Sequence, residues 1–242
     1  MDGEKNISKF YIIIVEPKYS GNIGAIARAM ANFDFDKLIL VKPCRLDDEC
    51  YQRAMHAKKI LDNAKIFKTF DGAIENIDYL IATSSIETYN DKKHLRIASN
   101  LEDLSDKILG IGGNIGLIFG REDYGLFNEE IAKCDALLKI PTSDSYLSLN
   151  LSHAVAVVLY SIYIKKNTEQ KKSVDIGKIE KEKLFDIFND LLDIIDYPNH
   201  KKDKTNIMFR KMMGRAVPSK WEYHTLMGVF SQSMKKIKKR KN

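Results

Sequence analysis

Short β-type runs alternate with helical stretches over the first 165 residues, and this alternation leaves few architectures open. It predicts an α/β fold, a mostly parallel sheet with helices on both faces. The runs at 10–15, 37–41, 65–67, 79–82, 115–119 and 136–140 are dense in Ile, Leu, Val and Phe, as strands covered on two faces must be. Helices are expected at 22–31, at 48–63, from near Asn128, and at 147–165. The last of these carries Leu149, Leu151, Ala154, Val155, Val157, Val158, Leu159 and Ile162, so it is apolar nearly all round. Burial on more than one side follows.

Residues 166–173 lack an apolar period and read as a linker. This divides the chain into a catalytic domain, 1–166, and a small helical extension, 167–242. The extension should hold a helix at 180–195 with Leu184, Phe188, Leu191, Leu192 and Ile195 on one face, a piece over 208–214, and a third helix at 221–237. Trp221, a residue type more often buried than not, is expected in its core.

Charge divides at the same place. Up to residue 164 there are 19 Lys and Arg against 23 Asp and Glu; beyond it, 20 against 10. A basic last third points to a polyanion, with nucleic acid first, although the Lys-rich run at 235–241 taken alone fits a solubilising tail equally well. No stretch approaches the roughly 20 apolar residues of a membrane helix, and the polar start is unlike a secretory signal. The cytoplasm is the expected compartment. Cys44, Cys50 and Cys134 form no paired spacing and read as ordinary reduced thiols, with no metal site.

The glycine run from Gly110 to Gly116 imitates a dinucleotide fingerprint, but its spacing is G-x-G-x-x-x-G and it precedes a strand. A nucleotide loop must lie between a strand and its following helix. It is therefore read as a loop.

Three other segments do lie where open α/β sheets hold ligands, at the carboxyl ends of expected strands. They are Glu16-Pro17 through Asn22-Ile23-Gly24-Ala25-Ile26-Ala27-Arg28; Gly120-Arg121-Glu122-Asp123-Tyr124-Gly125-Leu126; and Ile140-Pro141 through Ser148-Leu149-Asn150-Leu151-Ser152. Together they resemble the three motifs of the SPOUT methyltransferases, in particular the TrmH-like ribose 2′-O branch and most closely its TrmJ-type tRNA (cytidine/uridine-2′-O-)-methyltransferases.

The resemblance implies S-adenosyl-L-methionine as cofactor, tRNA as substrate with nucleotide 32 of the anticodon loop as target, a deep trefoil knot, and a homodimer through the knotted helix at the end of the catalytic domain. It makes Arg28 the catalytic arginine, supported by Asn22, Glu122, Ser148 and Asn150. Because a guanidinium gives up its proton with difficulty, stabilising the developing alkoxide suits Arg28 better than acting as the base. Asn22 would serve equally as a plain helix cap. Thr83, Ser84, Gly120, Arg121, Ile140, Ser148 and Leu149 would hold the cofactor. Lys92, Lys93, Arg96, Arg210, Lys211 and Arg215 are candidates to hold RNA. A ribosomal RNA 2′-O-methyltransferase of the same fold, or a catalytically silent RNA-binding relative, are the competing readings.

Overall fold

The computed structural model describes residues 8–85, 99–100, 108–168, 178–216 and 218–241. Among the described residues seven strands form one sheet: β1 (Lys9–Val15), β2 (Lys37–Val41), β3 (Lys65–Phe67), β4 (Tyr79–Ser84), β5 (Ser99–Asn100), β6 (Asn114–Phe119) and β7 (Ala136–Lys139). Their order is β3-β2-β1-β6-β4-β7-β5, and every pair is parallel. The short strand β5 carries no signal in the sequence; the other six fall where the apolar runs place them.

Alternation along β1 divides the core. Ile12 and Ile14 join the cluster made with Ile23, Ile26 and Met30 of α1 (Ser20–Asn32) and with Val155, Val158, Leu159 and Ile162 of α6 (Leu151–Thr168). Ile13 and Val15 face the other way, toward Ala73 of α4 (Phe70–Ile74) and Ile131 of α5 (Asn128–Ala132). The chain thus leaves β1 over one face of the sheet and leaves the adjacent β6 over the other. Their carboxyl ends form a topological switch point, where the two loops diverge and a crevice opens.

Two expected helices are corrected. The stretch 48–63 is not continuous: α2 (Asp48–Ala54) and α3 (Lys58–Asp62) are separated by a 3-10 turn, because Met55 adopts φ 51, outside helical space. The helix expected from residue 147 begins at Leu151, which leaves 147–150 as a loop. One side of α6 is in the core, while Val157, Tyr160 and Ile164 on the other are 37–54% exposed; within one chain the helix is buried on one side only.

The C-terminal helices α7 (Lys178–Ile194), α8 (Asn199–Ala216) and α9 (Lys220–Lys241) share a small core of Leu184, Phe209, Met213 and Tyr223, with Phe188 stacked on Phe209 at 4.0 Å. Trp221 lies outside it, 75% exposed, because Tyr223 takes the inward position at the start of α9.

These helices dock at the amino ends of β4 and β7, the pole opposite the switch-point loops. Asp135, fully buried, accepts from the Leu80 amide at 2.8 Å and from Lys181 Nζ at 2.7 Å. Arg210 reaches the same carboxylate at 3.5 Å and pairs doubly with Glu182 at 3.0 and 2.8 Å. Lys211, 2% exposed, donates to the carbonyls of Ile131 and Cys134, both at 2.7 Å, and so caps the end of α5. Tyr79 donates its hydroxyl to the Gly214 carbonyl. Arg210 and Lys211 thus both serve the docking of these helices, Lys211 fully inside the protein and Arg210 half-buried with its guanidinium committed to Asp135 and Glu182. Arg215 is half-buried beside them.

Candidate active site

The second motif closes into a five-residue hairpin. Arg121 N–H donates to the Gly125 carbonyl at 3.1 Å and Gly125 N–H returns the bond at 2.9 Å. Gly125 holds φ 64, a conformation that favours glycine. At Gly120 a Cβ would lie 2.1 Å from the carbonyl carbon of Gly125, so only glycine lets the hairpin fold back on β6.

The resemblance sets Arg121 against the cofactor; the residue lines the candidate cleft, and its guanidinium is committed to two carboxylates. It is 7% exposed. Its Nε donates to Glu16 at 2.8 Å, its two terminal nitrogens fork onto Glu130 at 3.1 and 3.0 Å, and one of them also reaches the Gly125 carbonyl at 3.3 Å. Burial opposes the charge, but hydrogen bonds to Glu130 and Glu16 outweigh it and raise the guanidinium above its ordinary pKa. The bond from Arg121 in turn holds the Glu16 carboxyl below its ordinary value.

Glu122, next along the hairpin, ties the second motif to the first. Its carboxylate accepts from the Lys18 amide at 3.0 Å, the Tyr19 amide at 3.4 Å and the Asn22 side-chain amide at 3.0 Å. Asn22 is not a helix cap: α1 begins at Ser20, and the cap position is Tyr19. Asn150 adds the third motif, donating from Nδ2 to Asn22 Oδ1 at 3.2 Å. Its own Oδ1 accepts from the Ser152 amide at 2.9 Å, so it also caps α6.

Beside this chain of contacts lies a cleft of about 200 Å³, and Thr83, Ser84, Gly120, Arg121, Glu122, Ile140, Ser148 and Leu149 all line it. Leu147 and Leu149 are 43% and 38% exposed there, an apolar surface next to hydroxyls and main chain. The Thr83 hydroxyl is engaged with the Ile118 carbonyl at 2.9 Å. Arg28 is not gathered with the others. It is exposed on α1 and absent from the cleft walls, six residues and roughly 9 Å of helix rise beyond Asn22. Lys92, Lys93 and Arg96 lie outside the described residues.

The sequence reading missed Glu130 and the backbone of Lys18 and Tyr19. Glu130 had a signal, an acid three residues after a loop residue at a helix start. A larger cavity of about 670 Å³ opens near Asp71, Glu75, Lys133, Lys181 and Arg210, at the docking pole. The smaller cleft is the candidate site, because the second and third motifs wall it, the first is tied to them through Asn22, and none of the three touches the larger cavity.

An all-parallel sheet with a switch-point cleft, walled by the second and third motifs and tied to the first by amide and carboxylate side chains, is the arrangement of an α/β protein that holds its ligand at the strand ends. The chain belongs to the SpoU rRNA methylase family, whose model matches residues 9–160, and it is an RNA methyltransferase of that family. It is 48% identical over 226 residues, 90% of this chain and 97% of the relative, to the tRNA (cytidine-2′-O-)-methyltransferase TrmJ of Methanocaldococcus jannaschii. To the TrmJ of Sulfolobus acidocaldarius it is 32% identical, over 96% of each chain. Among solved structures, TrmJ from Z. mobilis superposes with a TM-score of 0.66 at 26% identity, covering 92% of this chain and 97% of that one.

Proposed function

We propose that this chain methylates the ribose 2′-hydroxyl of a tRNA nucleotide, at position 32 of the anticodon loop, with cytidine and uridine as candidate targets. The observation that carries the reading is the continuous contact from Asn150 through Asn22 to Glu122, which ties the three motifs together beside one cleft. Two relatives named as tRNA cytidine-2′-O-methyltransferases, each similar over nine-tenths or more of this chain, support tRNA over ribosomal RNA.

The cleft suits S-adenosyl-L-methionine: Leu147 and Leu149 offer an apolar bed for a purine, while Ile140, Gly120 and Ser148 offer polar main-chain and hydroxyl groups. That cofactor supplies a methyl group on a positively charged sulfur. The protein's part is alignment, since holding two reactants in line can remove roughly 7 to 11 kcal/mol of barrier. Glu122, fixed by three donors, anchors the loop between the first motif and the cleft. Arg28 is the group to favour negative charge on the attacking ribose oxygen.

The exposed apolar edge of α6, formed by Val157, Tyr160 and Ile164, is suited to a second copy. We assign it to a homodimer and the threading of β7 and α6 to a trefoil knot. The C-terminal helices serve as an RNA-binding extension, and the protein works in the cytoplasm. No helix among the described residues is long and apolar enough to cross a membrane.

Transfer of labelled methyl from S-adenosylmethionine to tRNA transcripts, followed by ribose-methylation mapping, tests the reading. Label at nucleotide 32 is expected. Label in ribosomal RNA alone, or none with any RNA, would overturn it. An Arg28→Ala protein that binds both partners yet methylates at full rate would remove that residue from the mechanism.

A further inference from the structure

We infer that Arg121 is a positioning residue for the methyl-transfer site: it locks the ends of β1 and β6 and the start of α5 into one unit, and thereby sets where Glu122 stands. The inference rests on the proposed chemistry of the cleft, but its geometry is independent of which RNA is used.

Glu16 follows β1 with φ 49, and Lys42 follows β2 with φ 42. Such left-handed conformations are costly for residues with side chains, and they persist where surrounding contacts over-determine them. Here the contacts are visible. Lys42 Nζ reaches Glu16 Oε1 at 3.3 Å, and Glu16 Oε2 takes the Arg121 Nε–H. Glu16 thus turns back across the switch point to meet the hairpin that follows the neighbouring strand.

On its other side, Arg121 meets Glu130 with a two-pronged fork, and Glu130 Oε2 also accepts the Phe127 amide at 2.7 Å. The guanidinium lies 4.0 Å from the centre of the Phe127 ring. Every direction in which the hairpin might swing is therefore tied: backward to Glu16, inward to Gly125, forward to α5. Glu122 is the next residue, and it accepts from two backbone amides and one side chain. A shift of the hairpin by about 1 Å would break those bonds, and misplacements of that size can cost on the order of 100-fold in rate.

The arrangement needs a planar fork with several donors. A lysine carries one point charge on a flexible stem and would satisfy Glu16 or Glu130, not both with Gly125.

The test compares wild type with Arg121→Met, Arg121→Lys and Glu16→Gln in the full-length protein. Three quantities are read: S-adenosylhomocysteine affinity by calorimetry, kcat and KM for tRNA methylation, and hydrogen exchange at the Arg121 and Gly125 amides, which bond each other. Both Arg121 variants should lose kcat by at least about 10-fold with KM for tRNA within about two-fold. Exchange at the two amides should quicken by a similar factor, and Glu16→Gln should fall between them and wild type. Lysine should fail to rescue.

If kcat, S-adenosylhomocysteine affinity and amide exchange all stay within two-fold in Glu16→Gln and in whichever Arg121 variant folds, the inference is overturned. Should neither Arg121 variant fold, Glu16→Gln decides: a lower kcat at unchanged Tm supports positioning, and an unchanged kcat refutes it. Wild type failing to methylate tRNA would strike at the proposed function instead, leaving exchange and cofactor affinity to judge Arg121.

Discussion

Asn150 donates its side-chain amide to Asn22 across 3.2 Å, and the two residues stand 128 positions apart in the chain. Asn22 passes the contact on to Glu122, so it is the middle of a three-motif bridge. Asn22→Ala should leave the helix standing, because its side chain does not cap α1, yet uncouple the loops. Single-turnover methyl transfer should slow by about 10- to 100-fold with little change in Tm. Asn22→Asp should be worse, since it sets a carboxylate against Glu122. Equal rates in all three proteins would show that the bridge is incidental.

The two glycines of the second motif should behave differently. Gly120→Ala drives a Cβ into the Gly125 backbone, which cannot move aside as a side chain would; the hairpin must open. Gly125→Ala meets nothing within 4 Å and suffers only from φ 64, a cost of about 1 kcal/mol. Thermal melts and S-adenosylhomocysteine titration of the two proteins should separate, with cofactor binding lost in the first and largely kept in the second. Matching losses would mean that space is not the constraint at Gly120.

Most of the sheet and the gathering of the motifs were legible in the sequence, for a physical reason. Strands covered on both faces need continuous apolar runs, such as Ile12-Ile13-Ile14-Val15, and ligand loops in such sheets must leave from strand ends. What was hidden depends on contacts distant in sequence. Arg121 carries contacts that the sequence does not show, because only the fold brings Glu16 and Glu130 onto it. The charge of Arg210 and Lys211 is visible in a sequence, whereas the buried Asp135 and the carbonyl ends of α5 that receive them are not. Trp221 went the other way: its size suggested core, but Tyr223 and Phe230 fill that space from the same helix.

That reassignment makes a binding prediction. Removing one lysine or arginine from a phosphate lowers the salt dependence of RNA binding by roughly one unit of log K per log salt. Lys211→Met should leave this slope unchanged. Replacing Lys235, Lys236 and Lys239, all exposed on α9, should lower it if that face meets RNA. A reduced slope for Lys211→Met in a folded protein would return that lysine to the RNA.

Asp135 is the residue on which the docking of the C-terminal helices turns. Asp135→Ala strips the partner from Lys181, whose side chain is 7% exposed, and takes the acceptor from the Leu80 amide. Breaking a buried pair from one side costs about 3 to 5 kcal/mol. Urea unfolding should show that loss, with the helices of 178–241 released before the sheet. A double variant, Asp135→Leu with Lys181→Met, should recover much of it, because no charge is then left unpaired. If the single and double variants unfold at the same urea concentration, the ion pair is not what holds the helices down.

Burial lowers Lys211 from 10.5 to about 8, against the pull of Cys134 and Asp135 and with the help of Arg210 and Arg215. Between those values the unfolded chain keeps the proton that the folded chain has shed, so stability must rise with pH there and be level below about pH 8. Thiols work the opposite way above about pH 9, since Cys134 and Cys50 are pushed up to about 12 and about 11 and stay protonated when folded. The lysine is therefore read as a difference. Wild type should gain on Lys211→Met from pH 8 to 9.5, by no more than about 1.4 kcal/mol per pH unit, in urea midpoints measured under reducing conditions. A flat or falling difference would mean that the ammonium keeps its proton inside the fold, held by the two carbonyls at the end of α5.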